Sequence, residues 1–502
     1  MNPEQSRQVL IASLIGKLEA IRGEAVQTAR AHADLVRKVA APFVPSARNL
    51  LHYIALRRHE LREVQRTLAE LGLSSLGRCE RWVLGNLEAV LSALRALQGE
   101  KARETSPATR AISFGEGERL MDEHAARLLG PEPDRRVRIM VTMPPEAAGD
   151  YSFMRALVAA GMDCMRINCA YGMEEDWSKL LLHLDRARKD LGMPCSIFMD
   201  LSGPNPRTFV QGDGMETRCF RDDQLVLARE NLPEPGPFGD GSFAVISCTL
   251  PEIIDDISPG DRVMIDDGKI AATVQETAEG CALLRITRSS RKGRKLKSGK
   301  GINLPDTDLK MEPLTGKDLV DLPFIARHAD MIGYSFVRRP EVVVRLQQEL
   351  AAAGGSQPGI VLKIEKVAAF RALPRLLLAA MRSPRAGVMI ARGDMAVEGG
   401  FERLAEVQEE MLWFCEAAHM PVIWATEVLQ TFVKKGLAGR GEITDAAMGG
   451  RAECVMLNKG PHVVAAVRVL DDILRRMKDH QDKKRATFRP LSVSKAFLEE
   501  SD

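Results

Sequence analysis

From Arg135 onward, short apolar runs alternate with stretches of helical periodicity. The runs are Val137–Val141, Cys164–Ile167, Cys195–Met199, Met331–Tyr334, Ile360–Leu362, Gly387–Ile390, Pro421–Ile423 and Cys454–Leu457. Predominantly apolar runs of this length predict strands buried on both faces. Most are separated by segments with apolar residues at helical spacing, such as Trp177–Lys189, Pro340–Ala353 and Leu404–Ala418. Outside one long interval the runs begin roughly 30 residues apart, the size of one strand–helix unit. Eight parallel units of that kind predict an α/β fold, a TIM (β/α)8 barrel rather than a doubly wound sheet. It would occupy residues 135–207 and 301–477.

The long interval lies between Met199 and Met331. It is rich in Gly and Asp and carries short alternating runs: SFAVIS (242–247), RVMIDDGKIAATVQ (262–275) and CALLRITR (281–288). Period-two alternation predicts strands with one buried face, and Asp266-Asp267-Gly268 is a strong hairpin signal. The reading is a small β-barrel domain at 208–300, inserted after the third barrel strand. Placed there it overhangs the carboxyl ends of the strands as a lid.

Ahead of the barrel, residues 1–130 are helical in pattern. Apolar positions recur through Leu14–Ala40, Leu50–Leu71 and Glu80–Leu97, separated by Pro42, Pro45 and the loop Gly72–Gly77. Arg58, Arg62 and Arg66, joined by Arg57, put a basic side on one helix, of the kind that is usually solvated. The tail, 478–502, is polar and ends in a short amphipathic piece, Val493–Leu498.

Composition narrows the functional classes. A chain of 502 residues, 45% hydrophobic and 27% charged, is expected to be soluble and to hold two or three domains. The formal charge is +2, and basic residues cluster only at Arg288–Lys300 without interleaved aromatics, so no nucleic-acid partner is expected. Nine cysteines without a CxxC pair point to a reducing compartment. No apolar run is long enough to span a membrane, and the first residues lack a basic leader and cleavage site. A cytoplasmic location without a membrane partner is the expectation.

The chemistry gathers at the strand ends. Strand side chains alternate, so Val361, Lys363 and Glu365 share one side, and a lysine and a carboxylate project together from a strand tip. The run AGVMIARGD (386–394) ends in Arg392, Gly393 and Asp394. The other tips supply Arg166 and Asn168, Asp200 and Arg207, Ser335 and Arg338, Thr426 and Glu427. Each alone could be an ordinary ion pair or cap. Convergence of this much charge on one face favours a ligand, because burying it without one is expensive. The carboxylates of Glu365 and Asp394 suit a divalent cation, and Lys363 with the arginines suits phosphate or carboxylate oxygens. No Ser-His-Asp arrangement and no glycine-rich phosphate loop is present. Metal-assisted phosphoryl transfer, or enolate chemistry beside Mg²⁺, fits this set.

Over roughly residues 135–477 the chain resembles the pyruvate kinase family. The resemblance rests on ordered motifs: MRINCAYG (165–172), DLSGPNPRT (200–208), DDGKI (266–270), GKGINLP (299–305), LTGKD (314–318) and SFVR (335–338). LKIEKV (362–367), MIARGDMA (389–396), PVIWATEVL (421–429), GRGEITDAA (439–447) and CVML (454–457) continue it. The resemblance implies phosphoryl transfer between phosphoenolpyruvate and ADP, giving pyruvate and ATP, with Mg²⁺ or Mn²⁺. It implies Glu365 and Asp394 as the divalent-metal ligands and Lys363 as the group that stabilises the transferring phosphoryl and the enolate. Arg166 would grip the phosphate, while Asn168, Arg207 and Lys300 would contact the phosphate-bearing substrates. The backbone at Gly393 and Asp394 would receive the carboxylate, and Thr426 would sit in the proton-delivery region. Asn168 and Asp200 would remain from a monovalent-cation site.

The sequence also departs from the family pattern. Ala170 and Tyr171 replace a serine and a histidine, and Leu201 and Ser202 replace a threonine and a lysine. Two usual potassium ligands are lost, so a normal K⁺ site is not expected. Asn205 replaces a glutamate, and the family's C-terminal domain gives way to the N-terminal helical region. Other readings are a Mg²⁺-dependent 2-oxo-acid lyase or aldolase, and a non-catalytic regulatory paralogue that binds a partner through the helices. Assembly as a homo-oligomer is compatible with all three.

Overall fold

The computed structural model describes residues 3–100, 111–210, 218–229, 237–238, 243–483 and 485–486; the amphipathic piece Val493–Leu498 lies outside them. Eight parallel strands close into a barrel: β1 Arg138–Thr142, β2 Cys164–Asn168, β3 Ser196–Asp200, β4 Met331–Tyr334, β5 Gly359–Ile364, β6 Ala386–Ala391, β7 Val422–Ala425 and β8 Cys454–Leu457. Each follows its neighbour in order around the ring, with β8 pairing back onto β1 through Arg138↔Cys454 to Val141↔Leu457. All four residues of β7 and of β8 are buried, as expected of strands covered on both faces. The barrel interior is filled by Met140, Cys164, Phe198, Met331, Val361, Met389, Ile423 and Met456.

The amino-terminal mouth of that interior is closed from outside the barrel. The helix Phe114–Leu129, capped by Ser113 Oγ accepting from the Glu116 amide, delivers Leu128 and Leu129 into the interior cluster. Gly359 and Gly387, at or near the starts of β5 and β6, leave room for this plug. A Cβ at either position would lie 2.4 Å from a Leu128 methyl. Burying a leucine side chain contributes about 1.5–3 kcal/mol, so the pair anchors the helix firmly.

The preceding helices, Pro3–Ala31, Ala33–Arg37, Val44–Leu56, Arg62–Glu70 and Val83–Leu97, share one hydrophobic core with the outer helices of the barrel. The two layers are joined by buried polar contacts. Asn49 Nδ2 donates to Ala417 O at 2.8 Å and to Glu80 O at 2.6 Å, and Arg81 Nε lies 3.1 Å from Glu416 Oε1. The structure corrects one expectation here. Leu50–Leu71 is not a single helix, so Arg57, Arg58, Arg62 and Arg66 do not form one basic side. Arg57 ends the first helix, bonded to Tyr53 Oη at 2.5 Å and lying over the Trp413 ring, while Arg58 and His59 turn back onto Glu24. Tertiary contacts break a helix that local periodicity would have continued.

After β3 the chain leaves the barrel. A seven-stranded sheet forms in the order Ile302–Asn303, Arg262–Ile265, Ile270–Ala278, Cys281–Arg288, Gln224–Ala228, Ala244–Cys248 and Thr208–Val210. It has its own hydrophobic core, including Leu225, Leu227, Ile246, Val263, Ile270 and Leu284. The hairpin turn falls at Asp266-Asp267-Gly268, whose φ values are 54°, 56° and 72°. Asp and Gly are the residues that tolerate such left-handed geometry. Among the described residues no helix is long and apolar enough to cross a membrane.

Candidate active site

The strand tips converge as the alternation requires. Val361 points into the barrel interior, and Lys363 and Glu365, two and four residues on, line a polar cavity of about 250 Å³ at the carboxyl end. Arg166, Asn168, Asp200, Arg207 and Asp394 line the same cavity. Gly333 on β4 makes space for Asp200, since a Cβ there would meet Asp200 Oδ1 at 2.5 Å.

Lys363 is the hub. Its Nζ lies 2.7 Å from Ser335 Oγ, 3.2 Å from Asp200 Oδ2 and 3.0 Å from Glu365 Oε1. Burial works against the charge, but the carboxylates of Asp200 and Glu365 outweigh it and hold the ammonium above the usual lysine range. Arg166 donates to the same Asp200 oxygen through Nε at 3.1 Å and through a terminal nitrogen, and to Thr142 Oγ1 at 2.9 Å. Asp200, 1% exposed, is opposed by burial and held below the ordinary carboxylate range by Lys363 and Arg166. Its Oδ1 has no hydrogen-bond partner among the described residues.

Asp394 differs from these. Its side chain makes no hydrogen bond or ion pair among the described residues, and burial, then the charge of Glu365, push its carboxyl up to about 6. Glu365 accepts from the Phe336 amide at 3.0 Å with its other oxygen. Two neighbouring carboxylates, Glu365 buried and Asp394 partly exposed and unpartnered among the described residues, fit a divalent cation whose remaining ligands are water and substrate oxygens. Among the described residues no three acidic, histidine or cysteine side chains gather as a metal cluster, so the protein alone would supply only part of the coordination shell.

The structure places five other predicted residues, Lys300, Arg392, Gly393, Thr426 and Glu427, outside this cavity wall. Lys300 is bound to Asp266 Oδ1 at 3.0 Å. The Gly393 amide donates to Thr426 Oγ1 at 2.7 Å. Thr426 and Glu427 both have left-handed backbones, with φ of 63° and 60°, a strain of order 1–3 kcal/mol each. Arg392 holds that segment: it donates to Ala425 O at 2.9 Å and Thr426 O at 2.6 Å, pairs with Asp445 and stacks on Trp424. Arg207 reaches Gly299 O at 2.9 Å and Tyr171 Oη at 3.3 Å, at the root of the inserted sheet.

Sequence reasoning gave no role to several wall residues, including Leu309, Met311 and Lys366. Lys366 is locked to Glu398 at 2.6 Å and sits inside the LKIEKV motif, the only signal that could have marked it. The LTGKD motif supports the site from behind. Asp318 accepts from the Ser202 amide at 2.9 Å, and Lys317 donates to Cys169 O at 2.8 Å, fixing the loops after β3 and β2. A second cavity of about 330 Å³ shares Arg166 and Asn168 with the first and is walled by Pro144, Pro145, Tyr171 and Trp177.

Residues 134–462 match the family model described as the pyruvate kinase barrel domain. The chain is 26% identical over 377 residues to a pyruvate kinase of Thermotoga maritima, covering 73% of this chain and 75% of that one. It is 29% identical over 358 residues to one from Geobacillus stearothermophilus, covering 69% of this chain and 58% of that one. The crystal structure of a pyruvate kinase from Cryptosporidium parvum superposes with a TM-score of 0.61 at 23% identity, over 74% of this chain and 77% of that one, a likeness of fold. With more than half of its length inside the family model, the chain belongs to the pyruvate kinase family.

Proposed function

We propose that the protein catalyses divalent-cation-dependent phosphoryl transfer from phosphoenolpyruvate to ADP, giving pyruvate and ATP. The observation that carries this reading is the Lys363 ammonium, its side chain only 12% exposed, held among Ser335, Asp200 and Glu365 beside the Arg166 guanidinium. A cation fixed in a site of low dielectric meets developing negative charge without reorganising. Arg166 and Arg207 would bind the phosphate, Arg166 with the orientation that Thr142 and Asp200 impose. Glu365 and Asp394 would hold Mg²⁺ or Mn²⁺, which when bound neutralises phosphoryl and enolate oxygens.

The substrate carboxylate would meet the backbone at Gly393 and Asp394. Its arrival competes with the bond from the Gly393 amide to Thr426 Oγ1, freeing that hydroxyl near the carbon that must be protonated. The neighbouring cavity would take the nucleoside, with the half-exposed Tyr171 ring as a stacking face. The inserted sheet would close over both as a lid and exclude water.

The direct test is steady-state pyruvate formation from phosphoenolpyruvate by purified, folded protein, with Mg²⁺ and with or without K⁺. ADP-dependent turnover is expected. No turnover under any of these conditions overturns the reading, and consumption of a 2-oxo acid without nucleotide would point to lyase chemistry instead.

A further inference from the structure

Arg207 joins the two cavities at the carboxyl end of the barrel. Its backbone belongs to the inserted sheet: the Arg207 amide donates to Thr249 Oγ1 at 3.0 Å, the Thr249 amide donates to Arg207 O at 2.9 Å, and Arg207 bridges to Gly301. Its side chain lines the first cavity and reaches back to the barrel, where a terminal nitrogen donates to Tyr171 Oη at 3.3 Å. Tyr171 belongs to the wall of the second cavity. A single bond therefore runs from the guanidinium assigned to phosphate to the ring assigned to the nucleoside.

The tyrosine end of this bond is held in place. The turn after β2 fixes its backbone, since the Tyr171 amide donates to Asn168 O at 3.0 Å and Trp177 Nε1 donates to Tyr171 O at 3.1 Å. Gly172 follows with a φ of 75°, a left-handed conformation that glycine adopts without strain. From the loop after β8, the Lys459 ammonium lies 5.2 Å from the centre of the Tyr171 ring, where the ring attracts a cation. At the other end, the second terminal nitrogen of Arg207 donates to Gly299 O at 2.9 Å. Two N–H groups thus face the protein, and the rest of the guanidinium fork stays available to an oxyanion.

Tyr171 is 47% exposed, so in the free protein water competes for both partners and the bond steers Arg207 only weakly. A nucleoside packed on the ring covers the bond and strengthens it by excluding that water. Arg207 then meets the phosphate already oriented. By linkage, the phosphate ligand tightens nucleotide binding by the same factor.

We infer that Tyr171 is a positioning residue that couples the nucleotide to the phosphate-bearing substrate through Arg207. This coupling presupposes the reaction proposed above, and it gives a role to a position where the sequence departs from the family's usual histidine.

The test uses calorimetric binding of phospholactate, a saturated analogue of phosphoenolpyruvate that forms no enolate, to the full chain at fixed Mg²⁺. The ratio of its dissociation constants without and with saturating ADP is the coupling factor. Tyr171→Phe keeps the ring and removes only the hydroxyl, at a half-exposed position where the fold does not depend on it. The coupling factor should fall at least about threefold in this variant. In an Arg207→Met background the same substitution should change it no further. A smaller fall in Tyr171→Phe, or an equal fall without Arg207, overturns the inference and leaves the proposed reaction standing. Wild-type protein that binds neither ligand overturns both, a result distinct from binding without coupling.

Discussion

The ammonium of Lys363 stands 3.2 Å from the carboxylate of Asp200, on strands separated by β4. Lys363 therefore balances two carboxylates, Asp200 and Glu365, while Asp200 is shared with Arg166. Lys363→Met keeps the length of the side chain and removes the charge. It should lower kcat by about two to three orders of magnitude, with little change in KM for phosphoenolpyruvate. Unpairing buried carboxylates should also cost stability, by up to ~3–5 kcal/mol less what Arg166 retains. Turnover normalised to the folded fraction separates the two effects. If more than about half of the wild-type kcat survives in folded protein, Lys363 is a structural ion-pair partner only.

Glu365→Gln should act on the metal. The variant keeps an acceptor for the Phe336 amide but halves the carboxylate pair that faces the cation. The Mg²⁺ concentration for half-maximal rate should rise at least tenfold, with partial recovery in excess Mn²⁺. An unchanged metal dependence would remove Glu365 from the ligand set.

Monovalent-cation dependence is the third expectation. Ala170 and Leu201 offer no side-chain oxygen, and Asn168 Oδ1 already accepts from the Ala170 amide at 3.1 Å. Of the remaining oxygens only Asp200 Oδ1 is unclaimed, and a desolvated K⁺ needs several. Rates in tetramethylammonium buffer should equal those in K⁺. Strong, saturable activation by K⁺ would contradict this.

Acid stability can be predicted from His419. The ring is fully buried, with Nε2 2.8 Å from Arg81 O and Nδ1 3.0 Å from Ser46 Oγ, and it faces His124 and the Arg81 charge. Burial, followed by the adjacent charges, pulls its pKa down to about 3 against a bond to Arg81 O that favours protonation. The folded state thus favours the neutral ring. Its contribution is complete above pH 6.5 and is lost as pH falls from there towards 3, at about 1.4 kcal/mol per pH unit for one site. His419→Asn, which tolerates the φ of 45°, should be less stable at pH 7.5 but shallower in its loss of stability between pH 6.5 and 5. Parallel curves for the two proteins would sink the assignment.

The eight barrel strands were legible because strands covered on both faces are predominantly apolar, and their shortness and regular spacing between helical stretches set them apart from buried helices. Alternation around Val361 put Lys363 and Glu365 on one side with no knowledge of the fold, and both line one cavity. What escaped was set by contacts distant in sequence. The break after Leu56 depends on Arg57 finding Tyr53 and Trp413, and Lys300 turns away because Asp266 is close. The helix Phe114–Leu129 carries two glycines in its first turns and has little local signal; it is held by Leu128 and Leu129 entering the barrel.

The plug formed by Leu128 and Leu129 has a consequence for how the protein is made. A ribosome delivers the helical region first, yet its apolar faces and the two leucines have no destination until β5, β6 and the outer helices have been synthesised hundreds of residues later. Contacts of such long sequence separation are closed late and slowly. The nascent helical region must wait with its sticky surface uncovered, so the yield of native protein should depend on holdase chaperones far more than on the strength of any single contact in the finished barrel.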